Sequence, residues 1–153
     1  AGPGGLTKAG TGTVMFVAAN TYTGVTTVAA GTLRLAAAER IDNASPLRLT
    51  GGIFLTAGFS ETLGSLDVDG AAVIDFGNGS CTLTLADSAS QTWDGTLELR
   101  NWTAGTDHLF VGTSASLSKA QLKKLTSPSG QAAAQLTSGE VILLPLGTIL
   151  LVR

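Results

Sequence analysis

Cysteine, histidine, charge and aromatic rings are all scarce in this chain, and each scarcity removes a class of function. A lone cysteine, Cys81, cannot form a disulfide within the chain. Its setting, between Gly79-Ser80 and Thr82-Leu83-Thr84-Leu85, reads as a strand carrying a buried, inert thiol. A lone histidine, His108, follows Asp107, but nothing marks the nucleophile that a catalytic triad would need, and a partly exposed histidine at a strand start is the simpler reading. No Gly-x-Ser-x-Gly elbow occurs, nor a phosphate-binding glycine loop with its lysine. Only 13% of residues are charged and the net charge is -2, which argues against a nucleic-acid partner. The single adjacent basic pair, Lys123-Lys124, reads as the wet face of a short helix. Aromatic residues make up 5%, so Trp93 and Trp102 read as filler of a core or cap rather than as a platform for sugars. The apolar run Val141–Val152 is too short to span a bilayer as a helix, and Pro145 and Gly147 interrupt it.

What is abundant points to strands and turns. The 153 residues are 44% hydrophobic, with 20 glycines and heavy use of threonine, serine and alanine, the composition of an all-β protein with many tight turns. A chain of this length suits one domain, 1–153, and can bury roughly 70% of its unfolded surface. The opening stretch, 4–35, sets the pattern. Gly12-Thr13 leads into Val14-Met15-Phe16-Val17 and Gly31-Thr32 into Leu33-Arg34-Leu35, while Asn20-Thr21-Tyr22-Thr23-Gly24 reverses the chain before Thr26-Thr27-Val28 extends it again. Such short strands cannot bury their apolar side chains alone, and repeating the same coil is the simplest way to supply neighbours.

The run Gly5-Leu6-Thr7-Lys8, Gly10-Thr11-Gly12-Thr13, Ala19-Asn20-Thr21-Tyr22-Thr23-Gly24, Thr26-Thr27-Val28 and Gly31-Thr32-Leu33 resembles the autotransporter-associated β-strand repeat, also called the passenger-associated transport repeat. Several fixed spacings match together over about thirty residues. The resemblance implies a right-handed parallel β-helix in a large bacterial surface or secreted protein. Val25 stands where the family usually has a second glycine, and Met15-Phe16 make the first strand bulkier than usual; both suggest that this coil packs against something extra. Ala1-Gly2-Pro3 are small residues that suit a terminus left by export processing.

The rhythm continues along the chain. Ala36–Ile41 has helical propensity for at most one turn, and a loop follows over Asp42–Pro46. Strands are then predicted at Leu47–Leu49, Ile53–Leu55, Glu61–Val68, Ala72–Phe76, Cys81–Leu85 and Gly95–Leu99, in coils of roughly twenty residues and on the order of five or six turns. Further coils thus occupy 36–112, a short helix and cap 113–130, and apolar terminal strands 139–153. Ser118 with Gln121 three residues on is a capping box, with Leu117, Leu122 and Leu125 facing inward and Lys119, Lys123 and Lys124 wet. Together with Leu97–Trp102, Asp107–Gly112 and Gly139-Glu140-Val141, this segment resembles the terminal coil that closes such repeat proteins.

Three carboxylates are the metal or catalytic candidates. Asp67 and Asp69 share one face of an extended segment beside Gly70 and could bind calcium, with Asp75 a third, as in β-helices acting on polysaccharide. Later oxygen ligands at loop spacing are missing, and Asp-Gly is common in turns, so no metal or cofactor is expected. The Asn-x-Ser/Thr triplets at Asn43, Asn78 and Asn101 are not read as glycosylation sites in a chain so rich in threonine and serine, and Asn20, Asn43 and Asn78 are read as turn residues. The expectation is therefore a non-catalytic, extracellular or cell-surface structural solenoid that self-assembles with copies of itself into a fibre or surface layer. Its contacts would be the open solenoid ends and the apolar residues Val141, Ile142, Leu143, Leu144, Leu146, Ile149, Leu150, Leu151 and Val152, which pair either within their own domain or with another subunit. A passenger or adhesin fragment that binds host matrix is the alternative, and a β-helix that binds or acts on surface polysaccharide is the second.

Overall fold

A computed structural model describes residues 2–147. Among them the chain winds into a parallel β-solenoid of about five turns with a single short helix. Three sheets form its walls. The first wall is β1 (Leu6–Lys8), β3 (Thr26–Val28), β5 (Leu47–Leu49) and β8 (Leu66–Val68), paired in that order and all parallel. The second is β2 (Thr13–Phe16), β4 (Thr32–Leu35), β6 (Ile53–Leu55), β9 (Ala71–Asp75), β11 (Thr96–Arg100) and β13 (Leu125–Thr126), again parallel throughout. The third runs β7 (Glu61–Leu63), β10 (Thr82–Leu85) and β12 (His108–Val111) in parallel, then adds β15 (Glu140–Leu143) and β14 (Ala133–Gln135) antiparallel.

Register fixes the coil length. Leu6 lies opposite Thr26, Thr26 opposite Leu47 and Leu47 opposite Leu66, a coil of about 20 residues. Later coils lengthen, with Ala71 opposite Thr96 and Leu97 opposite Leu125. Strand alternation then sends one set of side chains inward in columns. Leu33, Phe54, Ile74 and Leu99 form one such column, Val28, Leu49 and Val68 another, and all are 0–1% exposed.

One expectation about local structure changes. Glu61–Val68 is not one strand: it breaks at Gly64-Ser65, and the halves β7 and β8 belong to different walls. Gly64 sits against the backbone of the coil below, where a Cβ would lie 2.9 Å from the Ala44 carbonyl oxygen, so the corner requires glycine. Ala36–Ile41, where at most one helical turn is expected, forms bends and no helix, since so short a run is not stable as a helix unaided. The cap appears where expected. Helix α1 (Lys119–Lys123) starts at Ser118, whose side chain accepts from the Gln121 N–H at 3.1 Å while the Gln121 side chain accepts from the Ser118 N–H at 2.6 Å. Leu117 and Leu125 are buried and Leu122 packs against the core. Lys119 and Lys123 are exposed, but Lys124 is half-buried and its ammonium donates to the Trp93 carbonyl.

Candidate functional site

The surface that stands out is the first coil. Val14 heads the inward column that continues through Leu33, Phe54, Ile74 and Leu99, yet it is 42% exposed while the four below it are sealed. Its position is a core position without a cover. Met15 at 46%, Val17 at 70% and Val25 at 42% are further exposed apolar side chains of this opening stretch. In β2 only Phe16 is buried. The outer edges of β1 and β2 are the ends of their sheets, so their backbone groups on that side have no strand partner among the described residues.

The coil beneath this surface is held by polar groups turned inward. Lys8 occupies the inward column of Val28, Leu49 and Val68, and its ammonium donates to the carbonyls of Ala9 (2.8 Å), Gly10 (2.7 Å) and Ala30 (3.1 Å). At 5% exposure its charge is held inside the corner rather than displayed on the open face. That corner also needs Gly31, whose φ of +67° lies in the left-handed region and whose Cβ would meet the carbonyls of Gly12 and Gly10. On the opposite side Tyr22, Thr26 and Ser45 join their hydroxyls at 2.9 Å each, and Ser45 ends the chain on the Gly24 carbonyl at 2.7 Å. Thr26 and Ser45 are fully buried, so each hydroxyl needs those partners.

The acidic candidates are divided. Asp67 and Asp69 do share a face of the first wall, but Arg48 from the coil below sits on them, 2.7 Å from Nε to Asp69 Oδ2 and 3.8 Å from Nε to Asp67 Oδ2. Burial, with the Asp69 charge adding and Arg48 opposing, holds the Asp67 carboxyl above its usual range, and its Oδ1 is buried with no hydrogen-bond partner. Asp75 belongs to the second wall and serves a corner, accepting from the Gly77 N–H and the Asn101 side-chain amide at 2.8 Å each. Among the described residues no three His, Cys, Asp or Glu side chains are placed to hold a metal ion.

The remaining candidates have structural partners. His108 Nδ1 lies 2.6 Å from Glu140 Oε1, tying β12 to β15, and its ring stacks on Phe110 at 6.2 Å. Trp93 is buried and donates from Nε1 to the Leu66 carbonyl at 3.1 Å; Trp102 packs against the core. Cys81 is buried 3.3 Å from the Thr56 hydroxyl, and burial pushes its thiol up. Val141, Ile142 and Leu143 lie in β15 between β12 and β14, so their backbone is engaged within the chain rather than offered at an edge. Leu144 donates to the Ala132 carbonyl at 2.8 Å, Leu146 is 67% exposed, and Ile149, Leu150, Leu151 and Val152 lie outside the described residues.

Sequence reasoning missed Glu61. It occupies the inward column of Leu83, Leu109 and Val141, 1% exposed, and accepts from the N–H groups of Arg40 (2.8 Å) and Ile41 (3.0 Å). Its carboxylate does what a strand carbonyl would do, ending the third wall on a segment that is not a strand. Burial raises its carboxyl to about 7 against those two hydrogen bonds. The alternation Glu61-Thr62-Leu63, with Leu63 inward, was the available signal.

No curated protein and no solved structure matches the chain. Residues 6–35, the stretch from β1 to the end of β4 that carries the open face, match the family model of the passenger-associated-transport-repeat.

Proposed function

We propose that this chain is a non-catalytic structural β-solenoid of the passenger type, belonging to a bacterial surface or secreted protein, whose first coil is a stacking surface for another coil. The match over residues 6–35 supports the passenger type and the surface or secreted setting. One observation carries the stacking. Val14 is a core-column residue left 42% exposed at the head of a fully sealed column. In the purified protein the coil that covers it is that of a second copy.

The two ends differ, and the difference restricts the assembly. The far end carries α1 and the antiparallel pair β14 and β15, which interrupt the parallel ladder of the third wall. A solenoid with one stacking end joins a copy head to head in a closed pair rather than in an open filament. Sedimentation over roughly a hundredfold range of concentration tests this, because a pair dissociates by mass action. The expected result is a dimer for the natural chain and a monomer of unchanged circular dichroism for Val14→Lys. Monomers at every concentration would overturn stacking by a second copy, and particles longer than a pair would overturn the head-to-head arrangement.

A further inference from the structure

The turn that joins β9 to β10 carries Asn78-Gly79-Ser80 at its tip, all three exposed. Its two feet are fixed. Phe76 is buried, its N–H donates to the Arg100 carbonyl at 3.0 Å and its carbonyl accepts from the Gly58 N–H at 2.9 Å, while the Gly77 N–H donates to Asp75 Oδ1 at 2.8 Å. At the other foot the Cys81 N–H donates to Asp107 Oδ1 at 3.2 Å and the Thr82 N–H to the Ser60 hydroxyl at 2.9 Å. Between them, neither the Asn78 side-chain amide nor the Gly79 N–H has a hydrogen-bond partner among the described residues. Gly79 has φ +100°, and a Cβ built there would come no nearer than 3.8 Å to any atom beyond its chain neighbours. Glycine itself puts no Cβ over that nitrogen.

We propose that Asn78 is a self-modification site, at which the Gly79 backbone nitrogen converts the asparagine into an acidic residue without an enzyme. The nitrogen gives up its proton and bonds to the carbonyl carbon of the Asn78 side chain. The bond from that carbon to the amide nitrogen breaks, and ammonia leaves with the proton. A cyclic succinimide remains. Water then adds to one of the two ring carbonyls and returns a proton to the Gly79 nitrogen as the ring opens, which leaves aspartate or, where the backbone now runs through the side chain, isoaspartate. Attack is favoured because adjoining residues hold the two atoms together. Either product sets an ionised carboxylate on the exposed tip and adds one negative charge to the chain's -2.

The other three asparagines lack this combination. Asn20 precedes Thr21, and its amide donates to the Ala18 carbonyl at 3.1 Å and the Arg40 carbonyl at 3.0 Å. Asn101 precedes Trp102, and its amide is held by Asp75 Oδ1 at 2.8 Å. Asn43 is exposed but precedes Ala44, whose Cβ flanks the nitrogen and whose N–H is engaged by Asp42 Oδ1 at 2.9 Å.

The experiment incubates the natural chain, folded and in urea, at mildly alkaline pH, where the nitrogen gives up its proton more readily. The chain is then digested in acid and mapped by mass spectrometry, with fragmentation that separates aspartate from isoaspartate. In the folded protein the Asn78 peptide is expected to turn acidic at least about tenfold faster than those of Asn20, Asn43 and Asn101, about 1.4 kcal/mol in barrier. It is also expected to hold both aspartate and isoaspartate. Conversion at Asn78 in urea but not in the folded chain would overturn the proposal, because the fold would then protect the pair. Aspartate alone would overturn the succinimide route, and equal rates at all four asparagines would overturn the choice of site.

Discussion

Glu61 shows how one side chain can replace a missing strand. Its carboxylate stands in a column of leucines and a valine and accepts the two N–H groups that the loop at Arg40 and Ile41 would otherwise leave unpaired. Burial lifts its carboxyl from an ordinary 4.5 to about 7, so the folded chain holds this proton more tightly than the unfolded chain does. The stability gained from that difference is complete below about pH 4.5 and is lost as pH rises through 7. Urea midpoints measured from pH 4.5 to 7.5 are therefore expected to fall more steeply for the natural chain than for Glu61→Gln. Parallel profiles would show that the carboxyl is not shifted. Gly31 is a backbone case at the same scale. Alanine there combines a left-handed φ with a clash into the Gly12 carbonyl, so Gly31→Ala is expected to cost more than the roughly 1–2 kcal/mol of the dihedral alone, read as a fall in urea midpoint.

Among the elements, α1 depends on its cap more than on its length. Five residues are far too few for a stable helix in isolation, so the reciprocal bonds of Ser118 and Gln121 and the docking on Leu117 and Leu125 supply what propensity does not. Gln121 does more than close the box, because its side-chain amide also donates to the carbonyls of Ser88 (2.7 Å) and Gln91 (2.8 Å). Ser118→Ala is expected to cost about 1 kcal/mol, and Gln121→Ala more, since it strands two carbonyl groups as well. Denaturant titration of the two variants checks the order. Strand β14 makes the opposite point. Ala133-Ala134-Gln135 has little strand propensity, and it extends because β15 pairs with it and because the Gln135 side-chain amide donates to the carbonyls of Val111 and Gly139.

Across the molecule, a solenoid is held by contacts between neighbouring coils, so its stability is graded along the axis. The central columns through Phe54 and Ile74 have a coil on either side, whereas β1 and β2 have one on a single side. In the Val14→Lys monomer hydrogen exchange is expected to be fastest in β1 and β2 and slowest in β6 and β9, and uniform protection would contradict the graded picture. Phe54→Ala, which opens a cavity in the sealed column, is expected to cost about 3–5 kcal/mol in denaturant unfolding.

The sequence by itself determined the class of fold. Glycine-threonine punctuation, alternating short strands and the repeat over residues 6–35 leave a coil of about twenty residues as the one way to bury so many brief apolar runs. It also determined the helix start, because a capping box is local chemistry between Ser118 and Gln121. Only the tertiary structure decided which wall each strand joins, as at Gly64, where a single corner divides one apparent strand between two sheets. It alone set Arg48 on Asp67 and Asp69, gave His108 its partner Glu140 and closed β15 between β12 and β14. Those pairings join residues roughly one or more coils apart, and a distance along the axis of a solenoid is written in its register, which local sequence does not encode.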